Sequence, residues 1–242
     1  MKVLYCDNQV LVAYKEAGLL SQEDSSKNPD ILNMLKDYVK EKYNKPGAVY
    51  LGLVHRLDRN TSGVMVFART SKAASRLSEQ IREHEMFNKR YLAVVEGQMN
   101  IGEEKTLVNF LLKNDKENKS YISKSSDAKK AILDYKVLDT KEINKNKYSL
   151  LDINLKTGRH HQIRVQLANI GHPIAGDQKY GAKRLGGNSY NLSSYSISFI
   201  HPTTKESLEF NYFEANRLFA RFSDSKNFLK IYKLNGKKND EK

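Results

Sequence analysis

At 242 residues, with 39% hydrophobic and 29% charged content, the chain has material for one large globular domain or two small ones. No apolar run approaches the ~20 residues that cross a bilayer. The first residues reach Asp7 before a signal-peptide core forms, and the lone Cys6 excludes an internal disulfide and a multi-cysteine zinc site. The expected location is the cytoplasm.

The net charge of +13 suits a polyanionic partner, although 30 of the 41 basic residues are lysines in an asparagine-rich chain, a composition that an AT-rich genome also produces. Distribution says more. Six of the eleven arginines (Arg56, Arg59, Arg69, Arg76, Arg82, Arg90) fall between positions 56 and 90, and Arg159 and Arg164 sit in a second dense segment. The planar arginine fork suits phosphate contacts and base stacking better than lysine does.

In chain order, residues 3–5 and 10–14 predict an opening β-hairpin around Cys6-Asp7-Asn8. A polar loop covers 21–29. Asp30 then caps a predicted helix reaching about Tyr43, with Ile31, Met34, Leu35 and Tyr38 as its apolar stripe and Val39 beside it. A short strand follows at 64–68. Ser71 is expected to cap a helix carrying Ala74, Leu77 and Ile81 on one face. Further strands are predicted at 91–95, 107–112, 131–138 and 148–155. A short helix over 161–170 ends at Gly171, with Pro173 beyond it. Residues 194–213 predict two strands around His201-Pro202, and the tail 234–242 is expected to be disordered. Strands dominate without regular β–α alternation, so the expected class is α+β on a mixed or mostly antiparallel sheet. No repeat or composition shift marks a linker, and residues 1–233 are expected to form one catalytic domain.

Two segments carry chemistry. The first, His55-Arg56-Leu57-Asp58-Arg59-Asn60-Thr61-Ser62-Gly63, sets one carboxylate among cations on a loop. An isolated Asp58 would most simply cap that loop. Ser62 lacks the nucleophile-elbow pattern, and the kinase-like letters stand in the wrong order without a Gly-rich loop. The second segment is Thr157-Gly158-Arg159-His160-His161-Gln162-Ile163-Arg164-Val165-Gln166-Leu167-Ala168, followed by Gly171-His172-Pro173-Ile174 and Gly176-Asp177. Adjacent helical histidines diverge by about 100° and have no acid cluster beside them, so no metal site is expected. His160 and Arg164, four apart, are expected to share a helical face.

With Lys15…Gly18-Leu19-Leu20-Ser21 and Lys89-Arg90-Tyr91-Leu92-Ala93-Val94-Val95-Glu96-Gly97, these segments resemble the motifs of the RluA-type pseudouridine synthases over nearly the whole chain. The resemblance implies a catalytic domain without the S4-type module of many relatives. It implies Asp58 as nucleophile, Tyr91 as the aromatic against the target base, and Arg164 as the guanidinium paired with Asp58. It further implies Arg56 in base flipping and Ile163 in lining the pocket, with His55, Arg59, Arg90, Arg159 and His160 toward the RNA. Three departures stand out: Glu16 where proline is usual, His160 where threonine or serine is common, and no Leu-His-Ala near 192–196.

Isomerising uridine breaks the N-glycosidic bond, turns the base and rejoins it through C5, which requires no cofactor. It does require an ionised carboxylate in a water-poor pocket, and an opposite charge within ~4–6 Å lowers an Asp pKa by about 1–3 units. Addition of the carboxylate to C6 and attack at C1′ both meet that requirement. The expected partner is ribosomal or transfer RNA, and the expected state is a monomer. The competing readings are a non-catalytic RNA binder on the same fold and a nuclease using His160 and His161.

Overall fold

The computed structural model describes residues 1–83, 86–186 and 190–232. They group into two compact units: Met1–Asn88 with Ser196–Tyr212, and Lys89–Tyr195 with the segment from Phe213.

The first unit opens with β1 (Lys2–Cys6) and β2 (Val10–Lys15), an antiparallel hairpin with a bulge between Val3 and Tyr5. Asp7 makes the turn, its carboxylate accepting from the backbone N–H of Gln9 and Val10 at 2.7 and 2.8 Å. Helix α1 (Ile31–Lys42) starts on Asp30, whose side chain accepts from Asn33 N, as expected. Its buried line is Ile31, Leu35 and Val39, at intervals of four. Met34, expected in the stripe, is exposed, because a helix lying on one narrow line turns the i+3 position outward.

After β3 (Gly52–Leu53), β4 (Ser62–Ala68) pairs antiparallel with β2 and buries nearly every residue. Helix α2 (Ser71–Glu83) is capped by Thr70, one residue ahead of the expected Ser71: the Thr70 hydroxyl accepts from Ala73 N at 3.1 Å. Its buried line is Ala73, Leu77 and Gln80, with Ala74 and Ile81 packed beside it.

The second unit is an antiparallel sheet in the order β5 (Asn88–Glu96), β9 (Asn146–Leu155), β8 (Lys129–Ile143), β6 (Glu104–Asn114), β7 (Lys119–Ile122). β7 was not expected; the other four were. One face buries Leu92, Val94, Tyr148 and Leu150 against Phe213, Phe219, Phe222 and Phe228 of the C-terminal segment, at about 1.5–3 kcal/mol per fully buried large apolar side chain. That segment adds a helical turn at Phe219–Phe222 and a short terminal helix at Lys226–Tyr232. The opposite face receives α3 (Gln162–Asn169), with Val165 on Leu111 and Ala131.

Helix α3 ends in a Schellman motif. Gly171 at φ +85 lets its own N–H reach the Ala168 carbonyl, and His172 N–H reaches that of Leu167. Strand β10 (Leu192–Ile200) contributes Leu192–Tyr195 to the second unit and its remainder to the first. There it pairs antiparallel with β11 (Ser207–Asn211). Val10, Val12, Val64, Val66, Leu77, Phe199 and Phe210 form the core of the first unit. The tail from 234 lies outside the described residues, and no described helix is long and apolar enough to cross a membrane.

Candidate active site

In the first unit the Asp58 loop is built from its neighbours outward. Ser21 holds Leu57 at both ends, its hydroxyl donating to Leu57 O at 2.7 Å and accepting from Leu57 N at 3.1 Å. Thr61 N donates to Asp58 O at 3.0 Å, closing a turn that leaves Asp58 half-buried. The end of β2 supplies the decisive clamp. Lys15 has no exposed surface, and its ammonium donates to the carbonyls of Glu16 (3.2 Å), Leu19 (2.7 Å) and Arg59 (3.0 Å). Gly18, at φ +92, donates its N–H to Arg59 O, and Arg59 Nε returns a bond to Gly18 O.

Burial pushes the Lys15 ammonium down to about 7, and the Asp58 carboxylate opposes that by favouring the charged form. A buried cation therefore stands beside the candidate nucleophile within its own unit. His55 Nε2 accepts from Val66 N at 3.1 Å, and its ring meets Phe87 edge-on. Arg56 is exposed and makes no hydrogen bond or ion pair among the described residues.

In the second unit Tyr91 is buried opposite Ile153, on the face that carries α3. Its neighbour Arg90 points to the other face and ion-pairs with buried Asp152, which also accepts from the Tyr195 hydroxyl at 3.1 Å. Thr157 and Gln162 lock the loop entering α3. Thr157 Oγ1 donates to Gln162 Oε1 at 2.7 Å, and Gln162 Nε2 donates to Ile132 O at 3.0 Å. Arg159 N also binds Gln162 Oε1, while its guanidinium reaches Lys130 O. On α3 itself Ile163 and Arg164 are both buried. Arg164 makes a bidentate pair with Asp177, Nε to Oδ2 at 2.7 Å and NH2 to Oδ1 at 2.8 Å. Its guanidinium lies over the rings of Tyr190 (4.5 Å) and Tyr180 (5.0 Å).

A family model described as RNA pseudouridylate synthase matches residues 9–169, which include both dense segments. The chain belongs to that family. Among its relatives, ribosomal large subunit pseudouridine synthase C of Haemophilus influenzae is 35% identical over 217 residues, covering 87% of this chain and 64% of the relative. The tRNA pseudouridine synthase C of Haemophilus influenzae is 32% identical over 226 residues, covering 86% and 90%. The chain thus spans a little under two thirds of the ribosomal relative's length and most of the transfer-RNA one's. Human RNA pseudouridylate synthase domain containing 4 matches with a TM-score of 0.72 at 21% identity, covering 92% of this chain and 91% of that one. The expected α+β pseudouridine synthase fold is the fold observed.

In this family member the histidine pair departs from expectation. His161 is the N-cap of α3 in left-handed backbone (φ +54), so helical geometry begins only at Gln162. His160 therefore precedes the helix and shares no helical face with Arg164. The two imidazoles do not diverge by a helical step but stack, 3.8 Å between centroids. His160 Nδ1 bonds Ser120 Oγ at 2.9 Å, and His161 Nδ1 bonds the Tyr180 hydroxyl at 3.0 Å. No group of three or more metal-ligating side chains occurs among the described residues.

Lys15 and Asp177 were read as motif letters without a role. A lysine closing an otherwise apolar strand was the available signal for the first; an acid within reach of a buried arginine appears only once the chain is folded.

Proposed function

We propose that the chain isomerises uridine to pseudouridine in ribosomal or transfer RNA, with Asp58 as the nucleophile. The supporting observation is the position of Asp58 on a loop clamped beside the buried Lys15 ammonium, in a chain of the pseudouridylate synthase family. Burial alone favours the neutral form of a carboxyl group, and a neighbouring cation favours the charged form. The substrate class follows from the relatives, whose names place one on the large ribosomal subunit and one on tRNA.

The reaction balances within the substrate. The N1–C1′ bond breaks, the base turns and a C5–C1′ bond forms; the proton lost from C5 is matched by one taken up at N1. No redox partner or group donor enters. Tyr91 is proposed as the aromatic against the base and a helper in C5 deprotonation, and Arg164 as the guanidinium paired with the Asp58 carboxylate. Arg56 is proposed to assist extrusion of the base, which costs a few kcal/mol. Ile163 lines the pocket, and His55, Arg59, Arg90, Arg159 and His160 serve the RNA side. For His55, Arg59 and Arg90 the bonds described above add a positioning task, since each holds protein backbone or a buried carboxylate.

The test is Asp58→Asn, incubated with total tRNA and rRNA transcripts in chelator and read by tritium release from 5-tritiated uridine. The expected result is loss of product with RNA affinity kept. Wild-type turnover by the variant would remove Asp58 from the chemistry. Product formed in chelator by the unaltered protein also sets aside a metal-dependent nuclease, and a wild-type chain that binds RNA without product would be the non-catalytic binder.

A further inference from the structure

An open groove of about 460 Å³ runs between β7, α3 and the helical turn at Gln178–Tyr180. It falls in the size range of small-ligand sites, ~300–1,000 Å³. Its lining includes Lys119, Tyr121, Ile122, Lys179 and Tyr180, and no carboxylate. Tyr121 and Ile122 are 38% and 37% exposed. The Lys119 ammonium lies 5.1 Å from the Tyr121 centroid and 5.2 Å from that of Tyr180. It forms no hydrogen bond or ion pair among the described residues, so its donors are open to an anion. The two acids of the adjoining turn are already engaged, Asp115 by Lys113 and Glu117 by Asn114 and Tyr121.

Tyr180 joins this groove to Arg164 within the second unit. Its ring lies under Arg164 as well as under Lys119, and its hydroxyl bonds His161 Nδ1 and Ser120 N, at 3.0 Å each. A group bound in the groove is thus one aromatic ring away from Arg164.

We infer that the groove holds a nucleotide of the RNA substrate flanking the target uridine, its base against Tyr121 and Ile122 and its phosphate at Lys119. Exposed aromatic surface beside a cation whose hydrogen-bond donors are open, in a groove that no carboxylate lines, is what a stacked, backbone-held nucleotide requires. The inference rests on the isomerase reading for the word substrate, but not for the contact with RNA.

The probe is a fluorescein-labelled random-sequence 15-nucleotide RNA, titrated by anisotropy at several salt concentrations. Tyr121→Ala is expected to weaken binding about fivefold or more, the loss of one base stack, while Tyr121→Phe binds like wild type. Lys119→Ala is expected to reduce the slope of log affinity against log salt by about 0.7, the value for one phosphate contact on a single strand. Lys40→Ala, an exposed lysine on α1, serves as the charge-matched control with the slope kept. Wild-type affinity and slope in both Tyr121→Ala and Lys119→Ala would overturn the proposal, as would an equal slope change in Lys40→Ala.

The two readings fail separately. If the unaltered protein makes no pseudouridine while Tyr121→Ala still loses affinity, the isomerase reading falls and the groove stands. If pseudouridine is made and KM for tRNA and rRNA transcripts is unmoved by Tyr121→Ala, the groove falls alone.

Discussion

Replacing Lys15 with methionine separates what the buried ammonium costs from what it does. Its pKa falls from 10.5 to about 7, and at 1.36 kcal/mol per unit the charged form is disfavoured in the folded state by about 5 kcal/mol. Methionine fills nearly the same volume and removes that cost. It also strands the carbonyls of Glu16, Leu19 and Arg59, which lose their donor at roughly 1–3 kcal/mol each. The opposing amounts are similar, so Lys15→Met is expected to fold, with a thermal midpoint within several degrees of wild type near pH 7.

The pH dependence has a definite sign. Between about pH 7 and 10.5 the unfolded chain holds a proton on Lys15 that the folded chain has released. Unfolding therefore takes up a proton, and the stability of wild type relative to Lys15→Met rises with pH across that window, by up to ~1.4 kcal/mol per unit. Below pH 7 the difference is flat. Activity runs the other way: kcat/KM of wild type is expected to fall as Lys15 deprotonates above about pH 7 and Asp58 loses its neighbouring cation. Lys15→Met is expected to be at least about tenfold slower at pH 6.5 and to lack that decline. Paired melts and tritium-release rates from pH 6 to 10 measure both effects. A variant with the wild-type rate and the wild-type pH profile would refute the role of Lys15 as counter-charge.

Asp177→Ala removes one partner of a buried bidentate pair, and a loss of about 3–5 kcal/mol is expected; chemical denaturation reads it, and a change under 1 kcal/mol would show that the pair contributes little. Arg56→Ala should leave stability within about 0.5 kcal/mol, since its side chain is exposed and unbonded. Its turnover on structured RNA should fall more than on a flexible strand, and equal losses on the two substrates would count against a flipping role.

Much of the fold was legible because local pattern and final burial agree. The line Ile31, Leu35, Val39 and the apolar runs at 64–68 and 91–95 are buried as their periodicity requires. Boundaries failed where a one-residue choice is nearly neutral, as between Thr70 and Ser71 for the α2 cap. β7 was missed because Lys119-Ser120-Tyr121-Ile122 lies in a lysine- and asparagine-rich stretch and becomes a strand through its ladder with β6. The division into two units leaves no compositional trace because two of the three crossings fall inside β5 and β10 and the third, at Tyr212–Phe213, follows β11 directly. In the site, Asp58, Tyr91 and Arg164 are proposed through the resemblance of their segments to the RluA-type motifs; the residues alone left Asp58 a loop acid. The buried lysine was not legible: composition argues against hiding an ammonium, and its three carbonyl partners, two just after β2 and one 44 residues on at Arg59, meet only in the fold. The helical reading of His160 failed because the left-handed turn at His161 answers to the Tyr180 hydroxyl, a partner 19 residues away.

Tyr180 has one more consequence, for how this chain keeps to itself. Among the described residues β7 is paired on one side only, by β6, and such a border strand offers its free amides and carbonyls to any passing chain. The Tyr180 hydroxyl already takes both groups of Ser120, accepting from its N–H at 3.0 Å and donating to its carbonyl at 3.2 Å. A phenol thus stands where a foreign strand would begin to zip, beside the exposed Phe110 and Leu112 of β6 that would otherwise reward such pairing. The side chain that borders the proposed nucleotide groove is also a guard against aggregation.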